Sequence, residues 1–95
     1  MAKFDKRNLN ELYNAVLSLQ TAEECDKFFE DICTIQELEA MAMRLQVAKL
    51  LKDGLSYSEV NRLTGASTAT ICRIGKCINY GNGGYEMVID RTRQL

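Results

Sequence analysis

Three short segments of the chain carry the pattern Ser/Thr-x-x-Glu, which is typical of the start of an α-helix. They are Thr21 to Glu24, Thr34 to Glu37 and Ser56 to Glu59, and an apolar periodic segment follows each one. In such a capping box the hydroxyl accepts a hydrogen bond from the amide three residues on, and the glutamate accepts one from the amide of the capping residue. The 95 residues include no proline, so helices can continue without interruption. These two features predict a helical chain.

The spacing of apolar and helix-ending residues predicts an all-α fold of about six helices. On the first helix, one apolar stripe comprises Leu9, Leu12, Tyr13, Val16 and Leu17. On the second, the residues expected to face inward are Cys25, Phe28, Phe29 and Ile32. The last segment alternates like a strand and also suits a helix, and we favour a helix because no partner strand is predicted elsewhere. The predicted helices cover residues 8–19, 22–32, 35–53, 56–63, 67–79 and 85–93.

The third predicted helix is apolar nearly all the way round. From Leu38 to Leu51, ten of fourteen residues are apolar, and a helix of this kind has to be covered on most of its sides. A chain of 95 residues has few elements with which to cover it. We therefore expect a homodimer in which helices of a second chain pack over this helix.

The composition argues against an enzyme and against a metal site. Histidine is absent, which removes the commonest general base and the commonest metal ligand. No nucleophile–base pair and no phosphate-binding loop is visible. The four cysteines form no Cys-x-x-Cys pair, and we interpret them as free thiols, mostly in the core: Cys25, Cys33, Cys72 and Cys77.

The chain has no apolar run near the roughly 18 residues that a membrane span requires. Its first residues turn polar at once, without the apolar core of a secretory signal. We therefore expect a cytoplasmic protein with no membrane partner.

The net charge of −1 conceals an uneven distribution. Residues 1–40 contain nine acidic and four basic side chains, whereas residues 41–95 contain four acidic and eight basic ones. The basic half could contact a polyanion, and the alternative is a chance distribution of surface charge.

Residues 56–79 have the pattern of a helix-turn-helix, with two short helices joined by Thr64-Gly65-Ala66. Gly65 is expected to adopt the left-handed backbone of the turn, and the residues spaced to pack the two helices together are Val60, Ala66, Ile71 and Ile74. Small and hydroxyl-bearing side chains at residues 67–70 suit entry into a major groove. The candidate DNA-binding residues are Ser58, Asn61, Arg62, Ser67, Thr68, Ala69, Thr70, Cys72, Arg73 and Lys76. The alternative is an ordinary helical hairpin with a capped turn.

Three stretches of the sequence resemble the tryptophan repressor superfamily, and most of all its short YerC/YecD-type branch: TIQELEAMAMR at residues 34–44, LLKDGLSYSEV at 50–60 and GASTATICR at 65–73. The resemblance covers residues 34–80, and the third stretch is its most specific part. The resemblance implies an all-α, intertwined homodimer that binds double-stranded operator DNA. It also implies that the protein is a transcriptional regulator of the repressor type. The chain is then a single domain over residues 1–95, with dimerisation helices at 1–53, the helix-turn-helix at 56–79 and a C-terminal helix at 85–95.

The same resemblance implies a site for a small ligand at Thr34, Arg44, Thr70 and Arg73, which match in type the residues around the bound amino acid in the tryptophan repressor. Independently, Arg44 has no acid three or four residues away on its helix. A guanidinium buried there needs an anion from elsewhere, either a ligand carboxylate or an acid in a structural salt bridge. Ile74 stands where the tryptophan repressor has glycine, so the expected ligand is a carboxylate-bearing molecule other than tryptophan.

Two functions remain open on the sequence. The first is a dimeric DNA-binding regulator that requires no cofactor and that a small-molecule corepressor could control. The second is a protein-interaction module with the helix-turn-helix shape. The sequence pI of about 5.4 favours the second, because DNA-binding domains often have a pI above about 9. Salt dependence separates the two, since only phosphate contacts make binding steeply salt-dependent.

Overall fold

The structure, a computed structural model, describes residues 5–93. These residues form six α-helices and no β-strand: α1 (Lys6–Leu17), α2 (Ala22–Ile32), α3 (Ile35–Lys52), α4 (Tyr57–Thr64), α5 (Thr68–Tyr80) and α6 (Gly84–Thr92). The predicted all-α class is confirmed, and the ambiguous last segment is a helix. Residues 94 and 95 of the predicted C-terminal helix lie outside the described residues. None of the helices is long and apolar enough to cross a membrane, within the part of the chain that is described.

Two of the predicted capping boxes begin α2 and α3, and their glutamates bond differently. At α3 the box is reciprocal, because Thr34 Oγ1 accepts from the amide of Glu37 at 3.1 Å while the Glu37 carboxylate accepts from the amide of Thr34 at 2.8 Å. At α2, Thr21 Oγ1 accepts from the amide of Glu24 at 3.1 Å, but the Glu24 carboxylate accepts from Gln20, one residue earlier than predicted. Both hydroxyl caps are therefore confirmed, and the predicted glutamate bond is present at α3.

The chain divides into two compact units, of which the first ends at Leu38 and contains α1, α2 and the start of α3. None of the residues from Asp5 to Leu38 is fully buried. The apolar stripe on α1 is largely exposed, and Leu17 has 80% of its surface accessible. On α2 the rings of Phe28 and Phe29 meet edge to face with centroids 5.5 Å apart and are half-buried. Ile32 is 50% exposed, so the prediction that it faces inward is wrong for the single chain.

The second unit begins at Glu39 and contains the hydrophobic core. The buried residues come from α3, α4, α5, α6 and the turn before α5: Val47, Ala48, Val60, Ala66, Ile71, Ile74 and Ile89. All four residues predicted to join the two helices of the helix-turn-helix are among them. Burying a valine or isoleucine side chain contributes about 1.5–3 kcal/mol. The core therefore fixes α4 and α5 to each other and to α3.

The cysteines lie outside this core. Cys25, Cys33 and Cys72 are half-buried, Cys77 is exposed, and all four are free thiols. The prediction that most of them occupy the core is wrong. On α5 the inward face is taken by Ile71 and Ile74, so the neighbouring cysteine positions fall at its edge.

Two ion pairs attach α6 to the end of α3 within the second unit. Lys52 Nζ lies 2.7 Å from a carboxylate oxygen of Asp90, and the Arg93 guanidinium lies 2.7 Å from Asp53. Gly54 ends this part of the chain with φ at +91°, as predicted for a helix stop. The last helix is thus held at the carboxyl end of α3.

Candidate nucleic-acid interface

The two helices α4 and α5 meet at a turn with a left-handed glycine. Gly65 has φ +74° and donates its amide hydrogen to the carbonyl of Asn61 at 2.8 Å. The predicted left-handed backbone is confirmed. At the other end of α4, Ser56 Oγ accepts from the amide of Glu59 at 3.2 Å and lies 3.1 Å from the Glu59 carboxylate, to which it donates. The third hydroxyl cap is therefore confirmed, although its glutamate bonds to the serine hydroxyl instead of the serine amide.

Side chains of α4 close the turn. Asn61 Nδ2 donates to the carbonyl of Ala66 at 2.7 Å, and Thr64 Oγ1 accepts from the amide of Ala66 at 3.1 Å. The same hydroxyl donates to the carbonyl of Val60 at 2.7 Å. Ala66 is 2% exposed, so its backbone groups require partners inside the protein. The sequence analysis did not predict these contacts. The presence of an asparagine and a threonine in the last turn of α4 was the feature that could have indicated them.

Helix α5 begins with a side-chain cap and an exposed first turn. Ser67 Oγ accepts from the amide of Thr70 at 3.2 Å and donates to Thr70 Oγ1 at 3.0 Å. Ser67, Thr68 and Ala69 are exposed, and α5 contains no acidic residue. The accessible amides and the positive end of the helix dipole favour a phosphate oxygen at this position.

Three cations accompany the helix start. Arg62 on α4 and Arg73 and Lys76 on α5 are exposed. The ion pairs found among residues 5–93 join other side chains. These three positive charges are therefore not neutralised by an acid within the described chain.

All the predicted DNA-binding residues lie on α4, on α5 or at the cap between them, in one compact unit. Two of them, Thr70 and Cys72, are half-buried. The exposed ones are Ser58, Asn61, Arg62, Ser67, Thr68, Ala69, Arg73 and Lys76. Asn61 and Ser67 also make the structural hydrogen bonds of the turn and of the cap. The role of the set in DNA binding stays a prediction.

A cleft of about 380 Å³ lies between α3, α5 and α6. It brings together three of the four predicted ligand residues, Arg44 from α3 and Thr70 and Arg73 from α5. Arg44 is exposed, so it is not the buried guanidinium that the sequence analysis expected. No acid of residues 5–93 forms an ion pair with it. Among the described residues, the structural salt bridge of Arg44 is thus not formed.

The remaining wall of the cleft is largely apolar: Ala40, Met43, Ile74, Cys77 and Tyr85. Ile74 lies in this wall, as the resemblance to the tryptophan repressor implied. Tyr85 was missed because the sequence left the conformation of its segment ambiguous.

Thr34, the fourth predicted ligand residue, belongs to the first unit. There it caps α3, and its hydrogen bonds to Glu37 stabilise the ionised carboxylate. The backbone amide of Thr34, followed by its side chain, holds the pKa of Glu37 below its ordinary value of 4.5. Thr34 thus has a structural role in the start of the helix.

Comparison with known proteins extends over nearly the whole chain. The profile of the family described as Trp repressor protein matches residues 7–93. The uncharacterized protein YerC of Bacillus subtilis (strain 168) is 48% identical over 92 residues, which are 97% of this chain and 88% of YerC. The crystal structure of a TrpR-like protein from Eubacterium eligens ATCC 27750 has a TM-score of 0.89 and 43% identity, with 94% of this chain and 92% of that one covered.

A second crystal structure, of a candidate Trp repressor from Staphylococcus aureus, has a TM-score of 0.88 and 44% identity. The similarity covers 92% of this chain and 87% of that one. The resemblance found in the sequence and the six-helix architecture agree with these matches. The chain belongs to the Trp repressor protein family.

Proposed function

We propose that the protein is a sequence-specific DNA-binding transcriptional regulator, a repressor that acts as a homodimer. The observation that carries the proposal is the exposed first turn of α5, with small side chains at Thr68 and Ala69 and no acid on the helix. Such a turn can approach base edges, while its amides and the neighbouring cations bind phosphates. Family membership supports the same function.

Exposed apolar side chains support the homodimer. Only Val47 and Ala48 of α3 are fully buried, and Met41 keeps 42% of its surface accessible. Further exposed apolar residues lie on α1, at the end of α2 and at the start of α3: Leu12, Tyr13, Val16, Leu17, Ile32 and Ile35. A second copy of the chain would cover such residues and would present two recognition helices to two half-sites of an operator. Sedimentation at micromolar concentration tests this step, and a fully folded monomer would contradict it.

The cleft at Arg44 is the proposed site of a small carboxylate that adjusts DNA binding. Guanidinium groups bind carboxylates through paired hydrogen bonds, and Arg44 and Arg73 line the same cleft. Thr70 and Arg73 also belong to the predicted DNA-binding set. A ligand there would change the charge and position of side chains at the DNA.

The proposal is tested by selecting bound sequences from a random pool of DNA, with and without carboxylate metabolites. Arg73→Ala and Lys76→Ala should then weaken binding to all selected sequences alike, and each should reduce the salt slope by about one. Lys27→Ala removes an exposed lysine from α2 and is the matched control, which should leave binding unchanged. Thr68→Ala should instead alter which sequences are preferred, because only base contacts carry sequence information.

The competing function is a protein-interaction module with the same shape, which the low pI favours. It predicts no enriched DNA sequence and no effect of the three substitutions in the helix-turn-helix. That combination, with the fold intact, would refute the proposed DNA-binding function.

A further inference from the structure

We propose that Asn61 and Thr64 are positioning residues that hold the helix-turn-helix in its DNA-reading conformation before DNA binds. In this inference, which rests on the proposed function, Asn61 does not read a base. Its place in the helix-turn-helix pattern puts Asn61 among the candidate DNA-binding residues. Its hydrogen bond to the turn gives it a different role.

The amide group of Asn61 is oriented by the protein itself. Asn61 Nδ2 donates to the carbonyl of Ala66 at 2.7 Å, across the turn from α4 to the residue before the cap of α5. Asparagine recognises adenine with both atoms of its amide, with Nδ2 donating to one ring position and Oδ1 accepting from the amino group. The bond to Ala66 uses one of the two Nδ2 hydrogens and fixes the orientation of the amide. A rotation toward a base that breaks this bond would leave the carbonyl of Ala66, a buried residue, without its partner, which is unfavourable.

Thr64 closes the same turn by bonding the other backbone group of Ala66, its amide. Its half-buried hydroxyl accepts from the amide of Ala66 at 3.1 Å and donates to the carbonyl of Val60 at 2.7 Å. Both backbone groups of Ala66 are therefore bonded to side chains of α4. Because the next residue, Ser67, caps α5, the position of Ala66 determines where the recognition helix begins.

These bonds have a consequence for DNA affinity. If one of them is removed, the turn samples other conformations, and the apparent DNA affinity is multiplied by the fraction of molecules that keep the DNA-binding conformation. The net contribution of one hydrogen bond corresponds to a loss of about two- to tenfold. The loss should be equal on every DNA sequence, because no base contact is removed.

The experiment compares the full chain with Asn61→Ala, Thr64→Val and Thr64→Ser on a panel of the selected operator and its single-base variants. Thr64→Val keeps the shape and removes the hydroxyl, whereas Thr64→Ser keeps the hydroxyl and is the matched control. Hydrogen exchange of the Ala66 amide is measured in the free proteins, well below their melting temperatures. Circular dichroism checks that each remains folded.

We expect Asn61→Ala and Thr64→Val to lose about two- to tenfold in affinity on every sequence, with the order of preference and the salt slope unchanged. The Ala66 amide should exchange faster in free Thr64→Val and at the parental rate in Thr64→Ser, which should also bind DNA like the parent. A merely structural role would lower the melting temperature without affecting DNA affinity at a temperature where the protein is folded.

Two results would overturn the inference. One is a change of preference at a single base pair in Asn61→Ala, which would make this residue a base reader. The other is parental DNA affinity in Thr64→Val. If the parent bound no DNA, the proposed function would fail instead, and the exchange rate of the Ala66 amide would still test whether Thr64 holds the turn.

Discussion

Replacing Gly65 with alanine isolates the backbone cost of the turn between α4 and α5. A β-carbon built on Gly65 meets no atom within 4 Å, so the substitution creates no steric conflict with other residues. What remains is the φ of +74°, which an L-amino acid with a β-carbon adopts at a cost of about 1–2 kcal/mol. Gly65→Ala should therefore lower the free energy of unfolding by about that amount, less the small entropic gain of restricting the unfolded chain.

Gly84→Ala is the matched control. Gly84 is the first residue of α6, has no positive φ, and also has nothing within 4 Å of a β-carbon. Alanine there keeps a favourable conformation and restricts the unfolded chain, so we expect a gain of about 0.4–1 kcal/mol. Substitution by alanine is thus expected to change the free energy of unfolding in opposite directions at Gly65 and Gly84, although both have room for a β-carbon. The difference comes from the backbone conformation of the two glycines.

The assay is denaturant unfolding of parent and variants at one protein concentration, because the stability of a dimer depends on concentration. The slope with denaturant should stay constant while the midpoint moves. A Gly65→Ala protein as stable as the parent, or a destabilised Gly84→Ala protein, would refute the assignment of the cost to the left-handed turn. DNA affinity measured on the same proteins should fall only in Gly65→Ala, because only this substitution alters the presentation of α5.

Two further predictions concern charged groups. Arg44→Met should change the free energy of unfolding by no more than about 0.5 kcal/mol, because Arg44 is exposed and pairs with no acid of residues 5–93. In thermal melting, the same substitution should abolish any stabilisation by carboxylates. A loss of about 3–5 kcal/mol would instead show a structural salt bridge, such as one to a second chain. Because the pKa of Glu37 is lowered by Thr34, its contribution to stability is fully present above pH 4.5 and is lost as the pH falls through the lowered value. Glu37→Gln should therefore be less stable than the parent at neutral pH and equal to it in acid. A stability difference independent of pH would contradict this.

Much of the candidate site could be predicted because its signals are local. The cap at Ser56, the left-handed Gly65 and the packing positions Ile71 and Ile74 follow from residue type and spacing over a few residues. The cleft was predicted only in part. Arg44 and Arg73 came from the family resemblance, whereas Tyr85 enters it through the packing of α6, which no local pattern describes.

The sequence by itself determined where α1 to α5 begin and end to within two residues, and it determined which side of α4 and α5 faces inward. Capping hydroxyls, glycines and the apolar period act between residues at most a few positions apart, so their effects are present in the linear chain. Only the tertiary structure decided that Asn61 bonds to Ala66, that Arg44 is exposed beside Arg73, and that the cysteines lie outside the core. Those outcomes depend on distances between separate elements and on competition for a limited buried volume, which residue type alone does not specify.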